Sequence, residues 1–167
     1  MSVSRCNALS VSTDRAWIQR SVSLLAASLK AGASKQGRVH KVKELVAVIV
    51  EDHPVTAEIV SDICRNGGFT PVVYEKAFDA LAGLQELRPD ILITDVHMPQ
   101  MSGRVLLRTI SESPYSFQGV PIVVLTGDDN ADDIATEGDN LNIRILVKPY
   151  GIDQLLHYLE ELRNSGA

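Results

Sequence analysis

Apolar residues gather in short blocks from Leu45 onward rather than spreading evenly along the chain. Leu45-Val46-Ala47-Val48-Ile49-Val50 is unbroken and ends at Glu51-Asp52. Ile91-Leu92-Ile93 runs through Thr94 to Asp95, and Pro121-Ile122-Val123-Val124-Leu125 ends at Thr126-Gly127. Ile143 to Val147 ends at Lys148-Pro149. Blocks this short, β-branched and without alternation predict strands buried on both faces. Thr70-Pro71-Val72-Val73-Tyr74 predicts a further strand, and its internal proline places it at a sheet edge.

Between these blocks the apolar period lengthens to three or four. Pro54 suits a first helical turn; Val55, Ile59, Ile63 and Cys64 mark the buried stripe, and Asn66-Gly67-Gly68 stops the helix. A helix over about 77–87 presents Phe78, Leu81, Leu84 and Leu87 and ends at Arg88-Pro89. Another starts at Gly103 with Val105, Leu106 and Ile110 inward, ending before Pro114. The last, about 151–163, buries Ile152, Leu155, Leu156, Leu159 and Leu162. The segment 128–141 carries six acids and few apolar residues, and reads as a short or mobile helix. Strand and helix thus alternate with short connections. The expected architecture is α/β: a doubly wound, five-stranded parallel sheet of order 2-1-3-4-5.

Composition adds a boundary. Residues 1–43 carry eight Lys/Arg and one acid, Asp14, whereas residues 44–167 carry eight Lys/Arg and twenty acids. The compact part is acidic and repels nucleic acid as a whole. Residues 1–13 are Ser-rich and aperiodic, the signature of disorder. Ile18, Val22, Leu25 and Leu29 predict a helix over 14–30 that packs on the domain or on a second copy, with a frayed or disordered tail, or a membrane-surface or nucleic-acid role, as alternatives, and 31–43 reads as a linker. The expected organisation is a basic extension over 1–43, a domain over 44–164 and a tail over 165–167. Two cysteines, Cys6 and Cys64, make no disulfide framework or metal-ligand spacing, which suits a reducing cytoplasm. No apolar run approaches the about 20 residues that span a bilayer, and no secretory leader is evident.

The predicted topology sends four strand ends to one rim, where open α/β sheets bind ligands. They deliver the carboxylates of Glu51, Asp52 and Asp95, the hydroxyl of Thr126 and the amine of Lys148. Three clustered carboxylates call for a cation. Oxygen-only donors with room for water and a phosphate partner favour Mg²⁺. His53 and His97 lack a third soft ligand, which argues against zinc. A lysine and a hydroxyl beside such a site suit a phosphoryl group, and a carboxylate can serve as its covalent acceptor. Asp95, at the end of a central strand, is the candidate. A flavodoxin-type cofactor site would place Ser, Thr and Gly after the first strand, where Glu51-Asp52-His53-Pro54 stands instead. An aspartyl phosphatase would want a second acid two residues after Asp95, where His97 stands.

Glu51-Asp52, Asp95 with Met98-Pro99 and Gly103, Thr126, and Lys148-Pro149 together resemble the receiver domain of two-component response regulators, a flavodoxin-like fold, over about residues 44–164. The resemblance implies that Asp95 accepts phosphate from a histidine kinase or phosphotransfer protein in a Mg²⁺-dependent phosphorelay. It implies that Asp52 and, through water, Glu51 hold the metal with Asp95, and that the His97 backbone carbonyl completes the set. Thr126 matches the switch hydroxyl. Lys148 matches the phosphoryl-pairing lysine, with a cis bond to Pro149. Self-phosphorylation and autodephosphorylation would be its only reactions. The implied partners are the kinase or phosphotransfer protein and a downstream protein target, with a homodimer as a further option. No DNA-binding domain follows the last helix in this sequence, so output is expected through protein contacts.

Departures from the family pattern fall together. Ile145 stands where an aromatic switch residue is common, Asp139-Asn140-Leu141-Asn142 replaces a small-residue turn, and the helix before it is unusually acidic. They suggest an atypical output surface. The alternative reading is a phosphorylation-independent, receiver-like interaction module.

Overall fold

The computed structural model describes residues 43–113, 117, 119–127, 134, 138 and 140–166. The expected helix over 14–30, the linker and most of the acidic segment 128–141 lie outside the described residues, although Ile134 is helical and fully buried. The strands are β1 (Leu45–Val50), β2 (Phe69–Tyr74), β3 (Ile91–Asp95), β4 (Pro121–Thr126) and β5 (Asn142–Val147). The helices are α1 (Pro54–Gly67), α2 (Ala77–Glu86), α3 (Gly103–Ser111) and α4 (Ile152–Ser165). The sheet is parallel, with order β2-β1-β3-β4-β5, as the sequence predicts.

Burial follows strand position. Every residue of β1, β3 and β4 is buried, whereas β2 and β5 at the edges are only partly covered. Pro71 pairs opposite Ala47 on edge strand β2, where its missing N–H costs no ladder bond on the open side. Successive strand residues feed two separate cores. Val48, Val50, Leu92, Ile122 and Val124 meet α2 and α3 on one face. Ala47, Ile49, Ile91, Ile93, Val123 and Leu125 meet α1 and α4 on the other.

The helices run where expected, but five expected core residues face outward. Val55 is 61% exposed, Ile59 47%, Phe78 67% and Val105 49%; Ile152, at the start of α4, is 57% exposed as well. In α1 the buried face is Ala57, Val60, Ser61, Ile63, Cys64 and Gly67. It is a face of mostly small residues, and smallness lets the helix close on its neighbours. A Cβ on Gly67 would stand 2.9 Å from the Cβ of Leu159 on α4. The Ser61 hydroxyl donates to Ala57 O at 2.7 Å, so this polar group is buried without penalty. In α2, Ala77, Ala80 and Leu84 are buried, and in α3 Leu106, Leu107 and Ile110. α4 buries Leu155, Tyr158 and Leu159, with Leu156 and Leu162 half-covered. Gly68, at φ 89°, takes the left-handed conformation that ends α1.

Candidate functional site

Strand order builds the site. β1 and β3 are neighbours whose following helices leave toward opposite faces, which opens a crevice at their carboxyl ends. β1 stops at Val50 and releases Glu51-Asp52 there, while β3 carries Asp95 as its last residue. Asp95 registers with Leu125 of β4, so Thr126 stands one residue further along that strand. Val147 of β5 registers with Thr126, and Lys148 follows; its N–H donates to Thr126 O at 2.6 Å. The Lys148-Pro149 bond is cis.

Four of the five side chains expected at the rim meet, and Thr126 stands buried at the end of the neighbouring strand β4. Oxygens of Glu51, Asp52 and Asp95 lie within 4.8 Å of one another. Lys148 Nζ is 3.0 Å from Asp95 Oδ2 and 3.9 Å from Glu51 Oε2. Glu51, Asp95 and Thr126 are buried. The other Asp95 oxygen, Oδ1, accepts from Val96 N at 2.6 Å and His97 N at 3.4 Å. Two backbone donors on one oxygen turn the other toward the lysine.

Glu51 is the uncomfortable member. Its Oε1 accepts from His53 N at 3.1 Å, but its buried Oε2 has no hydrogen-bond partner. Burial pushes its carboxyl above the usual carboxylate range; Asp95 and Asp52 push the same way, against the His53 N–H and Lys148. A buried anionic oxygen without a donor, beside two further carboxylates, is what a hard divalent cation relieves, and an all-oxygen donor set suits Mg²⁺. The residues present fit the metal.

The loop after Asp95 is set by close packing. Met98 turns into the core formed with α3, Gln100 adopts φ 69°, and the His97 side chain is exposed. Gly103 N donates to Val96 O at 3.0 Å, and a Cβ on Gly103 would overlap the Asp95 carbonyl oxygen. Ser102 caps α3 by accepting from Val105 N at 3.4 Å. Ile145 does not line the site; it registers with Val124 and packs half-buried against the α2–α3 core.

Two residues near the acids were not read as site members from the sequence. Tyr150 is half-buried against the α1–α4 core, and its phenol is raised by burial, then by the charges of Glu51 and Asp95. Thr94 is fully buried, and its hydroxyl donates to Asp95 O at 3.0 Å. The available signal for Thr94 was a lone hydroxyl in an otherwise apolar strand.

This geometry agrees with comparisons to known proteins. Residues 47–160 match the family model described as the response regulator receiver domain. A probable transcriptional regulatory protein of Mycobacterium tuberculosis, TcrX, is 31% identical over 128 residues, covering 73% of this chain and 51% of that protein. The chain thus spans about half the length of the curated relatives it matches. The solved Vibrio cholerae chemotaxis protein CheY4 is 28% identical with TM-score 0.61, over 72% of this chain and 99% of that one. The receiver domain of the Pseudomonas aeruginosa sensor histidine kinase PA1611 shares the fold at 22% identity and TM-score 0.63, over 73% and 99% of the two chains; its structure has a magnesium ion coordinated in the active-site cleft. No described helix is long and apolar enough to cross a membrane. With its fold, its acidic crevice and its sequence all in agreement, the chain belongs to the receiver domain family of two-component response regulators.

Proposed function

We propose that this receiver takes a phosphoryl group on Asp95 from a phosphohistidine of a histidine kinase or phosphotransfer protein. The observation that carries the reading is the convergence of Lys148 and two further acids on one buried carboxylate. A carboxylate oxygen of Asp95 attacks phosphorus, the P–N bond breaks, and its electron pair returns to the imidazole. The Val96 and His97 amides keep the carboxylate aimed during the attack. Lys148 leaves its pairing with the free carboxylate to hold a phosphoryl oxygen, and the Thr126 hydroxyl donates to another. Asp52, Asp95, the His97 carbonyl and, through water, Glu51 would hold Mg²⁺, which would offset charge on the transferring group. Autodephosphorylation ends the signal, and the phosphorylated domain acts on a downstream protein or a second copy in the cytoplasm.

Incubation with acetyl phosphate and Mg²⁺, followed by intact-mass or Phos-tag analysis, tests this. One phosphoryl adduct on wild type and none on Asp95→Asn is the expected result. An adduct that persists in Asp95→Asn, or none on wild type, overturns it. A second reading, a phosphorylation-independent interaction module, draws support from Ile145, which already packs inward against the core. It predicts the latter outcome.

A further inference from the structure

We infer that Thr94 is a positioning residue for the Asp95 carboxylate, acting through the peptide that joins Asp95 to Val96. This rests on the reading of Asp95 as phosphoacceptor. That peptide has two polar ends. Its N–H is shared between Asp95 Oδ1 at 2.6 Å and Leu125 O at 3.2 Å. Its carbonyl oxygen accepts from the Thr94 hydroxyl at 3.0 Å and lies against the α-carbon of Gly103, where a Cβ would overlap it. Thr94 therefore holds one end of the plane whose other end holds the nucleophile.

The hydroxyl is not there for packing. Thr94 is fully buried between Val50 of β1 and Val124 of β4, its partners in register, where a valine would fit equally well. The β1–β3 register ends at Val50–Thr94, one residue short of Asp95, so β1 pairing does not reach the Asp95 carbonyl. The neighbouring side chain supplies the donor that the sheet stops providing. A rotation of this plane would move the Val96 N–H off Oδ1 and turn Oδ2 away from Lys148 Nζ, its partner at 3.0 Å. The Thr94 hydroxyl donates to the Asp95 carbonyl, so its effect passes through the backbone.

The test uses the full chain with Thr94→Val, which removes the hydroxyl at constant shape, and Thr94→Ser, which keeps it. The first readout is the rate of adduct formation from acetyl phosphate at saturating Mg²⁺. The second is amide exchange of Val96 relative to Ile93 in metal-free protein, followed by NMR. Thr94→Val should slow phosphorylation about tenfold and speed relative Val96 exchange by a similar factor, while Thr94→Ser stays within about twofold of wild type. A role confined to stability would speed both amides together and leave the rate constant unchanged. A Thr94→Val rate within twofold of wild type, or a Thr94→Ser rate as slow as Thr94→Val, overturns the inference. Should Thr94→Val not fold, the Ser variant must still match wild type. If wild type takes no phosphoryl group, the acceptor reading fails by itself, and unchanged Val96 exchange in Thr94→Val separately refutes the positioning.

Discussion

Replacing Glu51 by glutamine should make the metal-free protein more stable while removing its response to Mg²⁺. Glu51 is 2% exposed, keeps one oxygen without a hydrogen-bond partner, and shares a 4.8 Å cluster with Asp52 and Asp95. Two like charges at that distance repel by about 3 kcal/mol at an effective dielectric of about 20. Lys148, 3.9 Å away, returns about 4 kcal/mol. One cation therefore offsets roughly one of two repulsions, and the cost of burying the charge stands on top. The amide of glutamine removes both repulsions, keeps the acceptor for His53 N–H, and places a donor where the unpartnered oxygen stood. Allowing for water at the rim, the net gain is about 1–3 kcal/mol, or about 3–10 °C in Tm. The pH dependence has a definite sign. Below the ordinary value of 4.5, Glu51 is protonated in both folded and unfolded chains and costs nothing. As pH rises from there toward the raised folded value, the unfolded chain releases its proton first, so the wild type loses stability relative to Glu51→Gln. Above the raised value the gap is constant. Mg²⁺ at ten times its Kd should restore about 1.4 kcal/mol to the wild type and far less to the variant. Thermal melts in EDTA and in Mg²⁺, at several pH values, measure all of this. A Glu51→Gln variant that melts below wild type in EDTA, or gains as much from Mg²⁺, would refute the reasoning.

Other substitutions probe the scaffold. Gly103→Ala drives a methyl into the Asp95 carbonyl, a backbone atom that cannot yield cheaply; a loss of about 3 kcal/mol or more in urea unfolding is expected, together with loss of the phosphoryl adduct. Phe78→Ser should change stability by less than about 0.5 kcal/mol because Phe78 is 67% exposed, whereas Leu106→Ala, fully buried, should cost about 2–5 kcal/mol by the same assay. Cys64 is fully buried and its thiol is pushed up to about 12, so in a Cys6→Ser background native protein should resist iodoacetamide at pH 8 until unfolded.

The sequence by itself determined the topology and the set of polar side chains that the strand ends carry to the rim. Short apolar runs alternating with helical periods admit a doubly wound parallel sheet, and the proline in the second strand places that strand at an edge. Once the order is set, strand ends share one rim, so Glu51, Asp52, Asp95, Thr126 and Lys148 were legible as a cluster without a single distance. The tertiary structure decided which helix faces are buried and how each site atom is held. Val55, Ile59, Phe78 and Val105 read as core because they are large and periodic. Smaller faces, such as Ala57, Ser61, Cys64 and Gly67, win because they let α1 approach close enough to exclude water from both surfaces. That preference depends on the partner's shape, which no local pattern carries. The same holds at the site: the unpartnered oxygen of Glu51, the contact of Gly103 with Asp95, and the Thr94 hydroxyl on the Asp95 carbonyl are relations between atoms that the folded backbone brings together. They exist only once the ladder has ended where it does.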